Sequence, residues 1–343
     1  MCAQAIDLLG VLPRVLCRRR EIGGGASRIL PRGILLALSI TTVLYLLVSL
    51  AAVRSADRCR YPDPAYTALR QTLGRFHGVP AERVVIGGSA SELILRISLC
   101  ASRRGVRQAW WPAAAYGDYA HAAGVAGLQR TDTLAAAGLA WLCEPASPTG
   151  RNEPALAQLD AGHAWRVLDA AYEPLRLSGA PSLAAAQCSR LWQLCTPNKA
   201  LGLTGVRAAY ALAPVGAADE VQALEAAAPS WVLGAEGVAL LTAWTTPAVQ
   251  RWLADSLPTL REWKRLQLDW LQARGWQHLP GDTPFLCVQP PGPLDLPALR
   301  RHELDCVIGR LHGQALGREF QSEVLYEEPV VAVVRNGHPL LRK

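Results

Sequence analysis

The chain has 343 residues, half of them hydrophobic, and a formal net charge of +7. That length allows one large domain or two ordinary ones, with enough apolar material for a substantial core. The arginines behind the charge are scattered apart from Arg18-Arg19-Arg20, so charge alone does not point to nucleic acid, and nine dispersed cysteines without a CxxC pair exclude a zinc pattern and a secreted disulfide framework.

Residues 1–58 read as a separate N-terminal segment. Within it Gly33 to Val53 runs GILLALSITTVLYLLVSLAAV, about 21 residues without a charge. Arg28 and Arg32 precede it and Arg54 and Arg58 follow. The run predicts a transmembrane helix over 33–53, with a buried core helix as the alternative. It starts too late and is too long for a cleaved signal peptide. Insertion would make the chain membrane-associated, with the upstream arginines favouring a cytoplasmic N-terminus; without insertion the chain is expected in the cytoplasm. Ser27-Arg28-Ile29-Leu30-Pro31-Arg32-Gly33-Ile34-Leu35 and the apolar run with Tyr45 resemble a transmembrane segment of amino-acid permeases.

From residue 59 to about 300, helical and strand patterns alternate. Pro64 to Phe76 predicts a helix and Arg83 to Ile86 a short buried strand. Gly87-Gly88-Ser89-Ala90-Ser91 is a turn into a helix from Glu92, and a strand, a Gly turn and a helix N-terminus together can bind phosphate. Gln108 to Trp111 predicts a strand, followed by Tyr116 and Tyr119, either of which could lie on a flat ring or be an ordinary half-buried aromatic. Leu139 to Cys143 is a further strand, and the Pro and Gly of residues 144–150 mark a fixed loop. Trp165 to Asp169 reads as a buried strand ending in an acid, where ligands lie in a parallel sheet. Arg207 to Leu212 and Phe285 to Val288 are the remaining strands, and a long helix is expected around 249–271. This alternation predicts an α/β fold with a mostly parallel sheet covered by helices.

The stretch from Cys195 to Arg207 carries the chemistry. Lys199 sits among mostly apolar neighbours, a setting that should make its proton easier to lose and its amine able to attack a carbonyl carbon. Arg207, eight residues on, is a fork for phosphate. One Lys and one Arg could equally be a solvated loop. With Asp169 about 30 residues earlier, they describe a pocket for pyridoxal 5'-phosphate (PLP), which needs a lysine Schiff base and an acidic partner for its ring nitrogen.

These residues, taken in order, resemble fold-type I PLP enzymes of the class I/II aminotransferase group from residue 60 to about 290, in particular histidinol-phosphate aminotransferases and the threonine-phosphate decarboxylases of cobalamin synthesis. Arg60-Tyr61-Pro62-Asp63-Pro64 looks like the family's RYPDP segment, which implies that Tyr61 reaches the partner subunit's cofactor phosphate in a homodimer. Gly88-Ser89-Ala90 resembles the phosphate turn, and Tyr116 the ring-stacking aromatic. Residues 145–150 resemble the NPxNPTG loop, with Ser147 where the family has the Asn that bonds the cofactor's phenolic oxygen. Asp169 and Tyr172 match DEAY, as pyridinium partner and phenolic-oxygen partner. Thr196, Asn198 and Lys199 match SxSK, and Arg207 completes the phosphate cup. The resemblance implies a PLP-dependent transferase with Lys199 and Asp169 as catalytic residues. Its substrate would be a small amino acid or a phosphorylated amino compound, and no nucleic acid or metal is implied.

Residues 301–343 depart from that pattern. His302 to Arg310 and Leu325 to Arg335, ending in Gly337-His338-Pro339-Leu340, resemble a fragment of the effector domain of LysR-type regulators. The small domain is therefore expected to be incomplete, lacking the usual arginine that grips the substrate carboxylate, with Arg335 as the substitute by its strand-like context. Transamination is expected to be slow. Two alternatives stand beside an aminotransferase: a PLP decarboxylase of the threonine-phosphate type, and a fused reading frame with weak catalysis.

Overall fold

The computed structural model describes Asp57, residues 59–159 and 165–289, and the backbone of strands at 4–6, 306–309, 320–326 and 330–335. The apolar run 33–53, expected to be a transmembrane helix, lies outside the described residues. Among the described residues no helix is long and apolar enough to cross a membrane.

In chain order the strands are β1 (Gln4–Ile6), β2 (Val84–Gly87), β3 (Gln108–Trp110), β4 (Gln129–Arg130), β5 (Leu139–Cys143), β6 (Trp165–Asp169), β7 (Trp192–Cys195), β8 (Ala209–Leu212), β9 (Gln277–Leu279), β10 (Leu286–Gln289), β11 (Cys306–Gly309), β12 (Phe320–Tyr326) and β13 (Val330–Arg335). The helices are α1 (Thr67–His77), α2 (Ala90–Arg103), α3 (Gly117–Val125), α4 (Ala185–Cys188), α5 (Ala218–Ala226), α6 (Ala235–Trp244) and α7 (Pro247–Gln272).

A seven-stranded sheet in the order β2-β8-β7-β6-β5-β3-β4 forms the centre. The strands from β4 through β7 pair in parallel. Only β8 runs against its neighbours, antiparallel to both β7 and β2. It follows that β2 points the same way as β7. The carboxyl ends of β2, β3, β5, β6 and β7 therefore share one edge with the amino end of β8.

Burial follows from strand alternation. Successive residues point to opposite faces of a sheet. Leu139, Trp141 and Cys143 pack with Val167, Trp192 and the helices α2, α3 and α5. Ala140, Leu142 and Leu168 pack on the other side, where Val84, Ile86, Tyr210 and Leu212 also meet α1, α6 and α7. Both faces are covered, so β5 and β6 are buried along their whole length, as a parallel sheet between helix layers requires.

Two smaller sheets are also described. β9, β10 and β1 form one, in the order β1-β10-β9, all antiparallel. Residues 4–6, expected to belong to a separate N-terminal segment, thus join the sheet of β10. β11, β13 and β12 form another antiparallel sheet with β13 in the middle. The stretch expected from its sequence to depart from the preceding pattern builds this sheet, and Arg335 is the last residue of its central strand.

Candidate active site

The shared edge gathers nearly every residue singled out from the sequence. Tyr116 follows β3, Ser147 lies in the loop after β5, Asp169 closes β6 and Tyr172 follows it. Thr196, Asn198 and Lys199 follow β7, Ser89 and Ala90 follow β2, and Arg207 precedes β8. Gly87 pairs with Ala209 and Cys195 with Tyr210. The turn at Ser89, the residue Thr196 and the guanidinium-bearing Arg207 are therefore carried by three adjacent strands.

The Ser89 turn is a helix cap. Ser89 Oγ accepts from the backbone N–H of Glu92 at 3.1 Å and opens the 14-residue α2. Glu92 Oε2 accepts from Gly88 N–H at 3.3 Å, a variant of the capping box. The Glu92 charge is taken up by buried Arg96, 2.8 Å away. A side chain at Gly88 would come within 3.2 Å of Val232 O, so the turn is pressed against the segment before α6.

Lys199 and its neighbours form the buried centre. Lys199 Nζ lies 4.2 Å from the centroid of the Tyr172 ring and 5.8 Å from that of Tyr116. Asp169 is 3 % exposed. Its Oδ2 accepts from Tyr119 Oη at 2.8 Å and its Oδ1 from Ala171 N–H at 3.0 Å. Burial pushes the Asp169 carboxyl above its ordinary range, and Lys199, Tyr119 and the Ala171 N–H oppose that push.

The expectation that Lys199 loses its proton easily is overturned. Burial does favour the neutral amine, but Tyr172, Asp169 and Tyr116 together favour the ammonium more strongly, and the net displacement is upward. The local sequence around Lys199 is apolar, whereas the partners that reach it come from other strands. Lys199 rests as an ammonium held by an acid and two phenols.

Polar atoms are left over in this centre. Thr196 Oγ1 and Asn198 Oδ1 are buried without a hydrogen-bond partner among the described residues. Arg207 is exposed and makes no hydrogen bond or ion pair to another described residue. Tyr61 stands apart from the cluster: it is 77 % exposed and stacks on Trp231 at 4.3 Å between centroids.

Ser147 sits half-buried in a loop that is rigidly tied down. Glu144 Oε2 accepts from Ser182 Oγ at 2.7 Å and from Glu153 N–H at 3.0 Å. Arg176, half-buried, reaches Glu144 at 3.3 Å, Glu173 at 2.8 Å and Asn152 Oδ1 at 2.7 Å. Gly150 has φ +70°, and a Cβ there would lie 2.4 Å from Thr283 Oγ1; only glycine fits this left-handed, crowded position.

Sequence reasoning missed Arg176 and Glu144, which hold the Ser147 loop, and left Tyr119 undecided between a ring contact and a core aromatic. Tyr119 is fully buried, stacked on Trp141 at 5.1 Å with an interplanar angle of 4°. No local sequence pattern separates it from Tyr116, three residues earlier.

Comparison with known proteins agrees with this geometry. The family described as aminotransferase class I and II matches residues 48–343. That match begins inside the apolar run 33–53 and continues through the regulator-like segment 301–343; neither the permease resemblance nor the regulator resemblance finds support. No curated protein matches the chain. Among solved structures, histidinol-phosphate aminotransferase from Sinorhizobium meliloti in complex with PLP is similar with a TM-score of 0.63 and 21% identity, over 85% of this chain and 82% of that one. L-threonine-O-3-phosphate decarboxylase from Porphyromonas gingivalis gives 0.63 and 18%, over 86% and 90%. A variant of Thermus thermophilus aspartate aminotransferase gives 0.55 and 18%, over 71% and 75%. At these identities the solved structures establish the fold, and the family match establishes membership: this chain belongs to the class I and II aminotransferases, and it is a PLP-dependent transferase.

Proposed function

We propose that the chain transfers the amino group of a small amino acid or amino-alcohol phosphate, with Lys199 as the amine that bonds the cofactor. The observation that carries this is the convergence of Lys199, Tyr116, Tyr172 and Asp169 in one buried cluster at the carboxyl edge of the sheet.

The residues present fit PLP. Thr196 Oγ1 is a buried hydroxyl with no partner among the described residues, and a phosphate oxygen would be an acceptor for it. Turning the Asn198 amide presents an N–H where its unpartnered oxygen now sits. Ser89 Oγ accepts from Glu92, which leaves its own proton to donate. The helix N-terminus at Ala90 and the unpaired Arg207 add backbone donors and charge.

When bound, PLP supplies an aldehyde for a lysine amine and a ring that accepts the electron pair left on the substrate's α-carbon. The chain's own residues do the rest. Ser89, Ala90, Thr196, Asn198 and Arg207 hold the phosphate. Asp169 holds a proton on the ring nitrogen, and Tyr116 lies against the ring. Tyr172 and Ser147 donate to the phenolic oxygen, Ser147 with a shorter reach than the family's Asn. Lys199 Nζ, relieved of the pull of Asp169 once that carboxylate is engaged, takes and returns the proton of the substrate's α-carbon. The buried setting keeps water from competing for that proton.

Residues 59–300 form the PLP domain in this proposal. The exposed Tyr61 serves a second copy of the chain, reaching the phosphate of the partner's cofactor in a homodimer.

Incubation of the PLP-loaded protein with histidinol phosphate, common amino acids and threonine phosphate tests the reaction. Conversion of the cofactor to pyridoxamine phosphate with release of a carbonyl product supports transamination. Carbon dioxide and an amine from threonine phosphate, without pyridoxamine phosphate, would make the chain a decarboxylase instead.

A further inference from the structure

Tyr119 does something that no core tyrosine needs to do. It lies fully buried on α3, and its hydroxyl donates to Asp169 Oδ2 at 2.8 Å. Its ring is fixed on both sides: parallel to the Trp141 indole of β5 at 5.1 Å, and edge-on to Tyr116 at 5.8 Å. The same side chain thus touches the aromatic of the cluster and the acid of the cluster.

We propose that Tyr119 is a positioning residue for Asp169, holding one carboxylate oxygen and keeping the acid ionised so that it can face a protonated ring nitrogen. The inference rests on the PLP site described above.

The charge arithmetic explains why such a donor is needed. Asp169 is buried, and burial alone drives a carboxylate toward its neutral form. A neutral Asp169 could not balance a ring N–H charge. Three groups oppose the burial: Lys199, the Tyr119 hydroxyl and the Ala171 N–H. The others that face the carboxylate do not help. Asp118 on α3 repels it, and the Cys143 and Cys195 thiols lie beside it on β5 and β7. Once the Lys199 amine is bonded and no longer a free ammonium, its contribution falls. Tyr119 and Ala171 then remain as the chain's own donors to the acid.

Tyr119 is suited to stay a donor. Burial first, then the Asp169 charge, hold its phenol well above the ordinary tyrosine range. The hydroxyl therefore keeps its proton through the neutral range, and the Trp141 stack prevents it from swinging away. A hydrogen bond to a charged acceptor in a dry layer is among the stronger ones.

The test uses the full chain loaded with PLP and reads the pH at which the bound cofactor's absorbance changes. Wild type is compared with Tyr119→Phe and with 3-fluorotyrosine at position 119, whose phenol is the stronger acid. Without the Tyr119 donor the buried Asp169 carboxyl moves toward its neutral form. That removes negative charge near the bonded Lys199 nitrogen, so its proton leaves more easily and the midpoint should fall by about half to one unit. The stronger donor should shift it upward. Loss of stability in Tyr119→Phe with no change in either midpoint would overturn the proposal and leave Tyr119 as core packing. If the Phe variant does not fold, the fluorotyrosine protein decides alone: an upward shift supports the proposal and an unmoved midpoint overturns it. A wild type with no cofactor absorbance would sink the site assignment and this proposal together, whereas a titrating wild type with unmoved variants sinks the proposal only.

Discussion

Replacing Thr196 with valine should change the protein in opposite directions with and without its cofactor. Thr196 is 5 % exposed and its Oγ1 has no hydrogen-bond partner among the described residues. A buried polar group left unsatisfied costs about 1–3 kcal/mol. Valine keeps the branched shape and deletes the orphan, so Thr196→Val without PLP should be more stable by about that amount. With PLP the same hydroxyl gains a charged acceptor, a bond that contributes about 1.5–3 kcal/mol. Its loss should weaken PLP binding by roughly 10- to 150-fold. Urea unfolding of the cofactor-free protein gives the first quantity, and absorbance titration with PLP gives the second. At saturating PLP the stability advantage of the variant should shrink, because the weaker ligand stabilises it less. A variant that is less stable without PLP and binds it as tightly as wild type would refute the reasoning, since the hydroxyl would then have a partner inside the folded chain.

Three other outcomes follow from the structure. Arg176→Ala should lower stability by about 3–5 kcal/mol, because it leaves the buried Glu144 carboxylate without its charge partner; thermal unfolding that moves by less than about 1 kcal/mol would show the network to be superficial. His77 is pushed by burial down to about 4, with its Nε2 2.7 Å from Tyr210 Oη. The folded state holds it neutral below its unfolded pKa of about 6.5, so stability is full above that pH and should fall as pH drops from about 6.5 toward 4; a His77→Gln chain with the same slope in that window would contradict the assignment. Arg335 closes the central strand of the C-terminal sheet, and Arg335→Ala should slow pyridoxamine phosphate formation on the order of a hundredfold with PLP binding intact if it takes the substrate carboxylate. Equal rates would place that anchor elsewhere.

The parts of the site that could be read in advance were those set by chain order. Asp169 ends an apolar run that is too short for a helix, Lys199 follows the next strand, and parallel strands bring such ends to one edge. The strand bounds at Leu139–Cys143 and Trp165–Asp169 coincide with those expected, because both runs are dominated by apolar residues, Arg166 excepted, and a polar or turn residue closes each. What escaped depends on contacts far apart in sequence. Tyr119 meets Asp169 across 50 positions, and no local pattern marks which of two nearby tyrosines turns inward. Arg176 and Glu144 are 32 positions apart and look like ordinary loop charges. The protonation of Lys199 was misjudged for the same reason: its sequence neighbours are apolar, while its spatial neighbours are an acid and two phenols. The antiparallel β8 was also invisible, since a four-residue apolar strand reads alike in either direction.

The central claim is that Lys199 is the residue that carries the cofactor. Borohydride reduction of the PLP-loaded protein fixes the bond between amine and aldehyde, and peptide mapping then locates it. The account predicts a single labelled peptide that contains Lys199, and no label in Lys199→Ala despite an unchanged fold. A label on another lysine, or a folded wild-type protein with no label at all, would contradict it.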